Sequence, residues 1–320
     1  MYVKTQEQLE HLVLPTNDHF LMEEYIKNQR PSLKQSSIRT YCSSLRFLFK
    51  RINYSGLLEN FDTETFLPYI LPIVHSLPCK RQINIISALI VSNKGHSELV
   101  ALLKHCNEKD RIQENKQELT DSQKMAYLDW NSIIATRNEL ANRVAPYWIK
   151  LTLSDEQFNE LQDYVIVCLY TYCAPRRSLD YIYMRPHEPC SEYENGIFTG
   201  EENSEISEPT FIFQKYKTMA TYGNQKITIP LPLWSVLREW LKVNPHEWLL
   251  TQNGKQMNSV QLTRRLQKIF GRPGFGVNML RHAYVSEEVL GQSPFLDELK
   301  EIAYKLGHSM NETLLYKKHI

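Results

Sequence analysis

Asn278-Met-Leu-Arg281-His282-Ala-Tyr-Val-Ser286, then Leu306-Gly-His308-Ser309, then Tyr316: three short stretches near the C-terminus gather an arginine, two histidines and a tyrosine. A guanidinium fork, imidazoles and a phenol are the groups that can hold a phosphodiester and attack it covalently. Singly, each is unremarkable. An Arg-His pair on a helix is usually packing or surface, a histidine at a helix end is usually structural, and the chain has eighteen tyrosines. The signal lies in the order. Gly307 ends a helix and His308 follows the turn. Tyr284 and Tyr304 fall outside the slot after Leu-Gly-His-Ser and read as packing residues.

Upstream, the helix expected over Leu153–Tyr172 runs into Cys173-Ala-Pro175-Arg176-Arg177-Ser-Leu-Asp180. Arginines at the end of an apolar helix need an anionic partner, and Asp180 is expected to supply it. Thr210-Phe-Ile-Phe-Gln-Lys215-Tyr-Lys217-Thr218 and Gln225-Lys-Ile-Thr-Ile-Pro230 alternate like strands and flank a turn at Tyr222-Gly223-Asn224, which reads as a hairpin. It carries Lys215 and Lys217, either of which can serve as a general acid, and strand periodicity alone does not separate them. Helices are expected over Tyr127–Ala141, Leu231–Val243, Ser259–Phe270, Val277–Leu290 and Asp297–Leu306, with a last one carrying Tyr316. This half is therefore mainly α with a small antiparallel β-sheet.

The first half reads as a helical bundle: Asp18–Asn28, Ser36–Ile52, Phe61–Ser76 (bent or divided by Pro68 and Pro72), Lys80–Ser92 and His96–His105. Arg39, Arg46 and Lys50 lie off the apolar face of the second helix. Lys80 and Arg81 sit in the first turn of the fourth, where cations oppose the helix dipole, a placement that hints at phosphate contact. The stretch 108–124 is polar and nearly free of apolar residues, so a linker is expected there, between a domain over 1–107 and one over 125–320.

Net charge is only +1, but it is segregated. Lys27 to Arg51 and Trp248 to Ser286, the latter with Arg264 and Arg265, contain basic residues and no acid, whereas acids bunch between Glu188 and Glu208. Such faces suit a phosphate backbone, or are simply solvated. The six cysteines show no metal-ligand spacing, and a reducing compartment is expected. No carboxylate cluster, zinc spacing or Gly-rich phosphate loop calls for a metal or cofactor. The N-terminus has no apolar signal core, and no run is long enough to span a bilayer.

Together these stretches resemble the tyrosine recombinase (phage-type integrase) family. Its usual string is His-x-x-Arg with a His after it, Leu-Gly-His, and then a nucleophilic Tyr. Asn278 stands where the first His is usual, Tyr316 follows His308 by eight residues where many members have nine, and Pro175 replaces the glycine of Gly-x-Arg-x-x-Glu. The resemblance implies Arg177 (with Arg176 as alternative), Lys217 (with Lys215 as alternative), Arg281, His282, His308 and Tyr316 as the catalytic set, with Asn278 and Asp180 supporting. It implies DNA contacts from the helical domain and a homotetramer on two paired double-stranded recombination sites. It further implies an intracellular, DNA-acting enzyme, with a virus or mobile element as the expected source, working in nucleus or cytoplasm. With only Lys317 to Ile320 after Tyr316, any exchanged tail is expected to be very short. A type IB topoisomerase, a telomere resolvase and a non-catalytic DNA-binding protein are the alternatives.

Overall fold

A computed structural model describes residues 19–93, 96–189, 191–199, 208–289 and 296–317. Asp18, Cys190, Glu201, Glu202, Glu205, Leu290 and the tail beyond Lys317 lie outside them. The chain divides into two compact units, Met1–Lys116 and Gln117–Ile320, and is mainly α-helical with small antiparallel sheets.

The first unit is built from α1 (His19–Gln29), α2 (Gln35–Arg51), α3 (Thr63–His75), α4 (Cys79–Ser92) and α5 (Ser97–Asn115). Helix α2 buries Ile38, Cys42, Leu45, Leu48 and Phe49, the one-face spacing of an amphipathic helix. Tyr54, Phe61 and Phe66 pack on and around Phe49. Asp62 caps α3 by accepting from the backbone N–H of Glu64 and of Thr65. Pro68 and Pro72 do not divide α3. They are one turn apart on its exposed face, so water can satisfy the carbonyls they leave unpaired.

The linker expectation for 108–124 needs correction, since α5 reaches Asn115 and α6 (Asp121–Ala126) begins soon after. Glu, Lys, Arg and Gln are good helix formers without being apolar. This part of α5 shows no hydrophobic period because it is exposed along most of its surface.

In the second unit, α7 (Trp130–Val144) and α11 (Leu231–Val243) flank α8 (Asp155–Thr171), whose residues from Leu161 to Tyr170 are all buried. Ser154 and Gln157 close a capping box at its start. Short α9 (Ser178–Ile182) follows, then β1 (Gly196–Phe198), β2 (Thr210–Phe213), α10 (Met219–Tyr222) and β3 (Gln225–Thr228). The sheet has order β1-β2-β3, antiparallel throughout. The expected hairpin is thus shorter than its sequence pattern, and Lys215 and Lys217 lie beyond the strand, in the connection to α10. A two-residue hairpin, β4 (Thr251–Gln252) and β5 (Lys255–Gln256), turns through Asn253 and Gly254, both at positive φ. Gln162, buried in α8, locks onto β4 by donating to the Thr251 carbonyl at 2.9 Å and accepting its N–H at 2.6 Å.

Helix α12 (Ser259–Phe270) leads through Gly271 to α13 (Val277–Ala283). The expected continuation of α13 to Leu290 changes register, because Tyr284–Val289 is wound as a π-helix. There Glu287 accepts from the Tyr127 hydroxyl and, at 2.9 Å, from the Trp130 N–H at the start of α7. Finally α14 (Leu296–Leu306) and α15 (Met310–Leu315) are joined by the Gly307 turn at φ +71, with Tyr316 as the C-cap of α15.

Candidate active site

Helix α13 is short and its last turn, including Arg281 and His282, is buried. Arg281 is fully buried; its Nη1 donates to the Pro175 carbonyl at 2.6 Å, while Nε and Nη2 have no acceptor. Its guanidinium carbon lies 4.5 Å from the centre of the Tyr316 ring. Burial pushes the Arg281 pKa below its ordinary value, and the nearby Tyr316 opposes that. The phenol is close enough for that opposition, although Nε and Nη2 make no hydrogen bond of acceptable geometry to it.

His308, also buried, stacks on Tyr316, with ring centres 5.3 Å apart and planes 16° from parallel. Its Nδ1 lies 3.1 Å from the Ser309 carbonyl and 3.2 Å from Thr313 Oγ1. Nε2 has no partner. Burial, and then the positive field of Arg281, push its pKa down to about 3. The imidazole is therefore neutral near pH 7, with Nδ1–H donating to the carbonyl and Nε2 left as an acceptor. His282 Nδ1 donates to the backbone carbonyl of Tyr316 at 2.9 Å, and its ring lies 5.1 Å from the Tyr316 ring.

The Arg-Arg turn enters from the other side of the sequence. Arg177 is the N-cap of α9. Asp180 does supply an anionic partner to this turn, and the arginine it pairs with is Arg176, Nε to Oδ2 at 2.7 Å and buried. In the short α9 the i,i+4 reach suits the buried guanidinium, while Arg177, as the cap, points elsewhere. Arg176 also donates from Nη1 to Gln225 Oε1 at 2.9 Å and to the Lys305 carbonyl at 3.0 Å, and its guanidinium carbon lies 3.9 Å from the centre of the Phe213 ring. Its Nη2 has no acceptor. A Cβ at Gly307 would stand 2.8 Å from that nitrogen, so both the positive φ and the close approach require glycine. Burial raises the Asp180 pKa, and Arg176, Arg177 and Arg281 act against the rise. Arg177 donates from Nη1 to the Gly307 carbonyl at 3.0 Å and from Nη2 to Glu312 Oε1 at 2.5 Å. Thr218 donates to the same Gly307 carbonyl at 2.6 Å.

The fold thus brings Arg176, Arg177, Arg281, His282, His308 and Tyr316 together. It does not bring Asn278, which is exposed on α13 and takes no part in these contacts. Lys215 packs over the Tyr183 ring at 4.0 Å. Lys217 is exposed, beside the Thr218 that is tied to Gly307. Among the expected DNA contacts of this unit, Arg264 is exposed, but Arg265 needs correction. Its Nε pairs with Asp163 at 2.8 Å and its side chain is 11% exposed. Burial raises the Asp163 pKa to about 6 despite that partner. In the first unit Arg39, Arg46 and Lys50 are exposed, with Arg39 3.8 Å from Glu23. Lys80 pairs with Glu114 at 2.8 Å, and Arg81 lies over Phe47 at 3.9 Å, so both basic residues of that first turn have partners within the unit.

Sequence reasoning missed Gln225, Thr218, Thr313 and Glu312. Only Glu312 had a signal: Ser309-x-x-Glu312 is a capping-box pattern, and half of it forms, with Ser309 Oγ accepting the Glu312 N–H at 3.2 Å. The Glu312 carboxylate goes to Arg177 instead.

Two guanidinium nitrogens of Arg281 and the Nε2 of His308 are thus buried without partners beside the Tyr316 ring, and the unpaired Nη2 of Arg176 lies next to Gly307. Buried guanidinium donors without acceptors suit an anion. No group of three or more His, Cys, Asp or Glu able to hold a metal occurs among the described residues, and no described helix is long and apolar enough to cross a membrane.

No family model matches the chain, and no curated protein matches it. Among solved structures, the crystal structure of XerA recombinase is similar with a TM-score of 0.40 and 13% identity, over 95% of this chain and 94% of that one. A likeness at that level carries no argument about activity.

Proposed function

We propose that this protein cuts and rejoins DNA strands at a specific site through a covalent 3′-phosphotyrosyl intermediate on Tyr316. The observation that carries the reading is the convergence, beside one phenol, of the unpaired Arg281 guanidinium N–H groups and a neutral imidazole, with the Arg176-Arg177 turn, distant in sequence, joined to the same place through Pro175 and Gly307.

In this reading Tyr316 Oη attacks phosphorus as the bond to the 5′ oxygen breaks. Arg281 and Arg177 meet the charge that builds on the non-bridging oxygens. Arg177 is preferred to Arg176 because Arg176 is already committed to Asp180, Gln225 and a backbone carbonyl. His308 Nε2, unprotonated near neutral pH, accepts the phenol proton, and a bound phosphate's negative charge would strengthen it as a base. Asn278 has no part in that step. Lys217 gives a proton to the leaving 5′ oxygen. Attack by a 5′ hydroxyl reverses the sequence, so the phosphodiester energy is conserved and no nucleotide is consumed. In the same reading the first unit grips duplex DNA through Arg39, Arg46 and Lys50, and a homotetramer pairs two sites.

The test is a set of nicked duplexes drawn from DNA flanking the coding sequence. Wild-type protein is expected to form a denaturation-resistant adduct that Tyr316→Phe does not form. Binding without any adduct would favour a non-catalytic DNA-binding protein. Relaxation of supercoiled plasmids lacking such a site would favour a topoisomerase.

A further inference from the structure

Each arginine of the site has a different partner. Arg176 is neutralised by Asp180, and both side chains are 2% exposed. Arg281 is held by the Pro175 carbonyl. Arg177 is neutralised by Glu312, but this pair is open to solvent, the two side chains being 16% and 37% exposed. Glu312 also sits one helical turn before Tyr316, on the same face of the same short helix.

We propose that the Glu312 carboxylate occupies the place of a phosphate oxygen on Arg177, and that it must vacate that place before Tyr316 can attack a strand. This rests on the reading of the pocket as a phosphodiester seat and adds its regulation. A carboxylate bound to a guanidinium fork uses the same donors as a phosphate. An Arg177 neutralised by a carboxylate attracts an incoming phosphate less strongly, and the site stays closed to weakly held DNA. The carboxylate has a second resting place. Ser309 already accepts the Glu312 N–H, so a Glu312 side chain turned back to the Ser309 N–H would complete the capping box. The exchange is therefore between two local arrangements of one side chain. In one, Arg177 holds Glu312; in the other, Arg177 holds phosphate and Glu312 caps α15. The second tightens the start of the helix whose last turn presents Tyr316.

The experiment is phosphate binding to the full chain, followed by thermal shift at matched ionic strength with chloride as the balancing anion. Glu312→Gln keeps the size and the capping ability of the side chain and removes its charge. It is expected to bind inorganic phosphate about two- to fivefold more tightly than wild type, the scale of one partly exposed ion pair removed from competition. Adding Arg177→Ala to Glu312→Gln is expected to abolish the gain. Far-UV circular dichroism on each variant confirms that the fold is retained, and Glu312→Asp, too short to span to Arg177, provides a second route to the same gain. Equal phosphate affinity in wild type, Glu312→Gln and Glu312→Asp, lost in Arg177→Ala, would overturn the gate and leave the phosphate seat standing. No phosphate binding in any variant would overturn both.

Discussion

His308 shows how a single side chain couples this site to stability. Its pKa is 6.5 in an ordinary setting and about 3 in the fold. The unfolded chain therefore takes up a proton between those values while the folded chain does not. By linkage, stability is full above about pH 6.5 and falls as pH drops towards 3. Urea midpoints across that range are expected to decline in the wild type and to flatten in His308→Gln. The carboxylates protonate over the lower part of the same range, so the difference between the two proteins, and not the wild-type slope alone, isolates His308. Other features at this scale could not be foreseen from spacing. Both Arg176 and Arg177 lie within reach of Asp180 along a helix, and only the burial of Arg176 against Phe213, with its further bond to Gln225, decides between them. The adjacency of Arg281, His282, His308 and Tyr316 was legible because they fall in three short, ordered stretches that the fold places side by side. Glu312 was not: its pattern spelled a helix cap, and its real partner is distant in sequence.

Among the elements, α3 tolerates two prolines because both face solvent. Pro72→Ala restores an N–H donor to the Pro68 carbonyl without opening a hole in the core. Proline costs about 3 kcal/mol in a helix interior relative to alanine. The looser unfolded chain gives back about 1 kcal/mol, so a net gain of about 1–2 kcal/mol in stability is expected from chemical denaturation. Elements with a strong period were readable in advance: α11 and α12 match expectation to the residue, and α2 and α8 depart from it by only a residue or two at their ends. Those without one were not. The second half of α5 is a polar helix without an apolar stripe, and β1 is three residues long. The β4–β5 hairpin did carry an Asn253-Gly254 turn signal, but each strand has only two residues and no alternation to confirm it.

At the level of the whole chain, the apolar side chains form separate main cores, one confined to the first unit and one to the second. Residues 117–320 expressed alone are therefore expected to unfold cooperatively, with a midpoint close to that of one of two calorimetric transitions in the full chain. A fragment lacking a cooperative transition would count against that independence.

The Gly307 carbonyl receives a proton donor from Arg177 and another from Thr218, which come from opposite ends of a long intervening segment. Such double fastening makes the corner fault-tolerant. With Arg177 detached from that carbonyl, Thr218 would still tether the corner between α14 and α15.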